Sequence, residues 1–145
     1  MSWCFTQPVV NFIRSITVFA MVAVVASGCT SVRQYEGPER AASEVSVLRL
    51  QRGSGAVINE IDGRFRGIGA LDRHEFLPGR HTLAVQFMSA ATGFLRFSSV
   101  PVRLAFDAKA GRDYVLITRT TPGQTAWTAW IVDVLTDEIV AEPEH

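Results

Sequence analysis

From Glu44 onward, apolar side chains recur at every second residue and never settle into a helical period, which constrains the fold more than any other feature of the chain. Val100, Val102, Leu104 and Phe106 alternate with Pro101, Arg103, Ala105 and Asp107, and Leu83, Val85 and Phe87 alternate with Thr82, Ala84 and Gln86. A strand sends successive side chains to opposite faces, so each run predicts a half-buried strand with one face on a core. Residues 114–117 and 130–132 are apolar on both parities, which predicts central strands. Between Phe94 and Ser99 the parity slips, and a bulge or bend is expected near Ser98. The punctuation agrees: Asp62-Gly63 suits a two-residue hairpin turn, Pro78-Gly79 and Pro122-Gly123 suit type II turns, and Lys109-Ala110-Gly111 closes another connection. The expectation is all-β, a single antiparallel β-sandwich of about 7–8 strands over residues 44–145.

The first 28 residues read differently. Arg14 is the only charged residue before Arg33, and the apolar run that follows it, residues 15–26, is shorter than the roughly 20 residues a helix needs to cross a bilayer. A weakly positive start, a short apolar centre and small residues at its end predict a helical secretory signal peptide over residues 1–28. Residues 29–43 are polar, carry Gly37-Pro38 and show no sustained period, so they are expected to form a flexible tether. Of the two cysteines, Cys4 falls in the removed segment, leaving Cys29 alone and no internal disulfide.

Val25-Ala26-Ser27-Gly28-Cys29 resembles the lipobox of bacterial lipoprotein precursors. The resemblance implies cleavage after Gly28 and attachment of diacylglycerol to the Cys29 thiol, with the new N-terminus acylated as well. Two or three acyl chains anchor durably where one holds only marginally. Thr30 stands where an aspartate would favour retention at the inner membrane, so the resemblance implies the periplasmic side of the outer membrane, with the inner membrane as the alternative. Further along, residues 57–69 (VINEIDGRFRGIG) and 75–85 (EFLPGRHTLAV) resemble PEGA-type and carboxypeptidase-regulatory-like repeats. "FDAKAGRDYVLITR" and "WTAWIVDVLTDEIV" are similar to the second half of small uncharacterised proteobacterial lipoproteins. Over residues 44–140 this likeness implies a transthyretin-like or immunoglobulin-like sandwich and no reaction.

The titratable residues do not assemble into a recognisable catalytic set. Lys plus Arg and Asp plus Glu both total 14, which argues against a nucleic-acid partner. All the basic residues except Lys109 are arginines, scattered along the chain as compositional bias scatters them. His74, Glu75 and His81, with Glu60 or Asp62, lack the H-E-x-x-H spacing of a helical zinc site, and a hydrogen-bonded structural role is expected for His81. Gly53-Ser54-Gly55 is not a nucleophile elbow, and Asp133, Asp137 and Glu138 fall in one strand-turn segment that turn chemistry accounts for. No catalytic residue, metal or cofactor is therefore expected. Trp127 and Trp130 point to opposite faces of a strand and offer one surface anchor between them; Phe94 and Phe97, with Met88, flank a small-residue connection and form a second candidate contact surface. The function expected is that of a lipid-anchored, non-catalytic binding or assembly module contacting another envelope protein. An envelope carrier of a small ligand or metal is the alternative.

Overall fold

The computed structural model describes residues 31–66, 71–89, 96–120 and 126–143, with the side chains of residues 89, 96 and 97 left aside. Residues 1–30, and with them the expected signal peptide, Gly28 and Cys29, lie outside the described residues, as do Phe94 and the Pro122-Gly123 turn. The elements are β1 (Val32–Arg33), β2 (Ser46–Leu50), β3 (Ala56–Ile61), β4 (Arg64–Phe65), β5 (Arg73–Phe76), β6 (Gly79–Ser89), β7 (Arg96–Phe97), β8 (Val102–Ala108), β9 (Asp113–Thr120), β10 (Trp127–Asp133) and β11 (Ile139–Ala141). They form two sheets, one ordered β1-β5-β2-β9-β10-β11 and the other β4-β3-β6-β7, with β8 also on β6. Leu48, Tyr114, Leu116 and Ile131 of the first sheet meet Ile58, Leu83, Val85, Leu104 and Phe106 of the second in one buried cluster. The fold is all-β and sandwich-like, with the central positions of β9 and β10 filled by the two segments that are apolar on both parities.

Three expectations are corrected. The pairing is mixed rather than antiparallel throughout, because β2 runs parallel to β9 (Val47 opposite Asp113, Leu50 opposite Leu116) and β1 parallel to β5. Among the described residues the strands number eleven rather than seven or eight, and β1, β4 and β7 are each only two residues long. Within the expected tether, Val32–Arg33 are docked as an edge strand: the Gln34 amide donates to the Glu75 carbonyl at 2.8 Å and the Ser31 hydroxyl to the Glu75 carboxylate at 2.6 Å.

Local chemistry explains most of the remaining detail. Asp62 and Gly63, at φ 50° and 74°, form the two-residue turn that pairs Ile61 with Arg64. The parity slip between β7 and β8 is a bulge on the edge of β6. Phe97 pairs with Met88 and Val102 with Val85, so four residues of one strand face two of the other. Ser98 fills the gap, its amide donating to the Phe87 carbonyl (2.8 Å) and its hydroxyl accepting from the Phe87 amide (3.1 Å). The bulge also turns Val100 outward, 71% exposed, against the in-facing position its parity suggested.

Candidate functional site

Both internal histidines are already engaged. His74, on the core-facing side of β5, is 2% exposed, and burial holds its pKa below the ordinary 6.5. The neutral ring donates from Nε2 to the Leu71 carbonyl at 3.2 Å, which leaves Nδ1 to accept from the Gln34 side-chain amide at 3.0 Å. His81 packs on Phe76, ring centroids 4.8 Å apart, with Nδ1 at 2.7 Å from the Asp62 carboxylate and Nε2 at 2.8 Å from the Leu77 carbonyl. The other Asp62 oxygen accepts from the Thr82 amide at 2.8 Å. Burial pushes the Asp62 carboxyl up, but the bonds from His81 and Thr82 outweigh it and hold the group below 3.8. An aspartate-histidine pair suits general-base chemistry only if the far nitrogen is open to a substrate, and here a carbonyl occupies it. The constellation clamps the hairpin turn to the corner where the chain leaves β5 for β6. It also joins the "IDG" segment to the "PGRH" segment through their polar residues.

The acidic cluster near the C-terminus is a turn. Asp133 is 4% exposed; its Oδ1 accepts from the amides of Leu135 (2.9 Å) and Thr136 (3.2 Å), and its Oδ2 lies 3.5 Å from the Arg112 guanidinium. Asp137, at φ 58°, completes the reversal. The Gly53-Ser54-Gly55 segment is equally occupied: the Ser54 hydroxyl accepts from the Ala56 amide at 3.2 Å, and its carbonyl accepts from the Thr118 hydroxyl at 2.7 Å. Among the described residues, no group of three or more His, Cys, Asp or Glu is placed to hold a metal.

The two tryptophans serve different faces. Trp127 turns inward, partly buried against the core, and stacks on Phe87 of the facing sheet at 5.9 Å. Trp130 is half-buried on the outer face of β9–β10, where the Arg119 guanidinium lies 5.3 Å from its ring centroid. Thr128, Ile139, Glu142 and Pro143 complete a shallow open groove of about 350 Å³ around this pair. Phe97 takes its place in β7, and the Met88 end of the small-residue connection lines a second depression of about 530 Å³ with residues 50–56 and Asp72. The sequence offered both tryptophans as anchors without choosing between them. Arg119 stands directly opposite Thr128 and diagonally across from Trp130, a placement set by the β9–β10 register that spacing along the chain does not show.

The fold and this surface define a small two-sheet β-domain with an aromatic-cationic groove on one outer face. No family model matches the chain, and neither curated proteins nor solved structures give a match.

Proposed function

We propose that the chain is a lipid-anchored cell-envelope protein whose β-domain, of the PEGA-like or transthyretin-like kind, is a non-catalytic binding or assembly module. Its anchor is the acylated Cys29 generated by cleavage after Gly28, and its place is the periplasmic side of the outer membrane. The observation that carries the binding reading is the Trp130–Arg119 groove. A ring half-withdrawn from water beneath a guanidinium, with the aliphatic Ile139 beside it, offers the large amphipathic contact on which protein interfaces concentrate their energy. The occupied nitrogens of His74 and His81 support a module without catalysis, since neither histidine presents a free lone pair to a substrate.

A photo-reactive side chain at Thr128, in the full-length protein in native membranes, tests this reading. Repeated crosslinking to one envelope protein, lost on Trp130→Ala with thermal unfolding unchanged, is the expected result. Turnover of a substrate by the purified protein, or crosslinking indifferent to Trp130, would refute it. Intact mass of the mature N-terminus tests the anchor; an unmodified Cys29 or a cut elsewhere would remove it.

A further inference from the structure

Residues 114–117 and 130–132 are apolar on both parities, yet the facing sheet covers only one of the two. Tyr114, Leu116 and Ile131 enter the core, while Val115, Ile117, Trp130 and Val132 take the outer face of the larger sheet. Pairing sets them in rows, Ile117 opposite Trp130, then Val115, Val132 and Ile139 side by side. Val134 adds one more row, because its amide donates to the Asp113 carbonyl at 2.9 Å and so continues the ladder. Val134 and Ile139 are 59% and 54% exposed. The outer face of the smaller sheet is built differently: Thr82, Gln86, Arg103 and Asp107 lie on it, and the ion pair of Glu60 with Arg103 at 3.5 Å spans Ala84. A sheet with one face in water alternates apolar with polar residues, so a contiguous apolar outer face marks a surface that another surface covers.

This face is complementary to itself. A half-turn about an axis in the plane of the sheet, crossing β9 and β10 at the paired residues Leu116 and Ile131, lays the strands of a second copy antiparallel on those of the first. Trp130 then lies over Val132 of the second copy, Ile117 over Val115 and Thr128 over Val134, each contact made twice. The same operation brings Arg119 over Asp113. Arg119 is exposed and meets no carboxylate within ion-pair distance among the described residues, and Asp113 is exposed and paired with Arg49 at 3.2 Å, itself exposed. Ile139 of the second copy falls level with Trp130, at the groove, and Glu142 stays at the β11 rim. Because the axis runs across the strands, the β1 edges of both copies face the same way, as two chains anchored in one bilayer through their N-termini require.

We infer that the outer face of β9–β11 is the interface of a two-fold symmetric dimer, in which the Trp130 groove receives Ile139 of a second copy and Arg119 pairs with that copy's Asp113. The inference rests on the reading of the groove as an interface and names its occupant.

The full-length protein, carrying a photo-reactive side chain at Thr128 and co-produced in two differently tagged forms, is irradiated in native membranes. Each tag should capture the other, and the link should map to residues 132–136 of the second copy. Arg119→Glu or Asp113→Arg sets like charges face to face and should lower the yield of linked pairs by at least about tenfold, and both changes on one chain should restore it. Val134→Asp, at an exposed position, should lower the yield as well. No linked copies, or a yield indifferent to Arg119→Glu and to its rescue, would overturn the inference. If Thr128 links instead to a different envelope protein, and the link is lost on Trp130→Ala, the second copy alone is refuted and the groove remains an interface; links to no protein refute both readings.

Discussion

The two ends of the domain are built on opposite plans. At the end holding the β3–β4 turn and the β10–β11 connection, side chains lock backbone to backbone: Asp62 ties Thr82 and His81, Asp133 ties Leu135, Thr136 and Arg112, and the Tyr114 hydroxyl accepts from the Lys109 amide at 3.0 Å. At the other end the surface is a shallow depression lined by Asp72 and by Arg52, which is exposed and meets no carboxylate within ion-pair distance among the described residues. A carboxylate that satisfies buried amides is committed to stability, whereas the exposed guanidinium of Arg52 ties no backbone group of the fold. The comparison separates residues that hold the fold from residues that the fold does not use.

The largest expected effect lies beneath the open end, where the packing is tight although the surface is not. Gly55 sits at φ 67°, and a Cβ there would lie 2.5 Å from the Met88 carbonyl oxygen and 2.8 Å from the Phe87 ring. Gly55→Ala should destabilise by about 3 kcal/mol, from left-handed backbone strain and overpacking together. A denaturant midpoint close to wild type would show that the chain entering β3 is not held against β6 at this point. At the locked end, Asp133→Ala strands two amides and the Arg112 charge, and chemical denaturation should register a loss of about 2 kcal/mol. Tyr114→Phe, which removes only the acceptor for the Lys109 amide, should lose about 1 kcal/mol by the same measurement. If these two variants were indistinguishable from wild type, the contrast between the ends would collapse.

Acid should weaken the locked contacts in two stages. His74 has its folded pKa depressed by burial, so the unfolded chain binds the proton first as pH falls. Its contribution is fully present above about 6.5, the ordinary value, and is lost as the pH drops from there through the folded pKa. Asp62 is also depressed, so a second loss begins below 3.8. Denaturant midpoints measured from pH 8 to pH 3 should show both stages, His74→Gln abolishing the first and Asp62→Asn the second. A flat profile through pH 6 would contradict a neutral, buried His74. The smallest expected effect is at Arg52, where Ala should change stability by less than about 0.5 kcal/mol, because the side chain is exposed and meets no carboxylate among the described residues. A larger loss in thermal unfolding would mean that Arg52 belongs to the fold and not to the surface.

What could be read from the chain follows the distance between interacting residues. The Asp62-Gly63 turn, the half-buried runs of β6 and β8 and the bulge at Ser98 depend on neighbours in sequence, and local pattern announces them. The parallel pairing of β2 with β9 joins Val47 to Asp113, and nothing in either segment specifies the other. The two residues of β1 are too few to show a period, and their docking depends on Glu75 and His74, far along the chain. Val100 obeys the alternation in sequence and violates it in space because the bulge intervenes. Of the candidate contact residues, the spacing of Trp127 and Trp130 showed that they face apart. Which of them is covered depends on Phe87 arriving from the other sheet, and that is a tertiary fact.

The parallel contact between β2 and β9 also sets a timetable. The middle of the larger sheet cannot close until residues 113–116 have been made, because β2 has no partner on that side before β9 exists. Joining such distant segments requires a large loop to close before the contact rewards it, so folding should be slow and should wait on the C-terminal half. A truncation ending before β9 would leave β2 with an exposed edge, open to pairing with another copy rather than to a fold of its own.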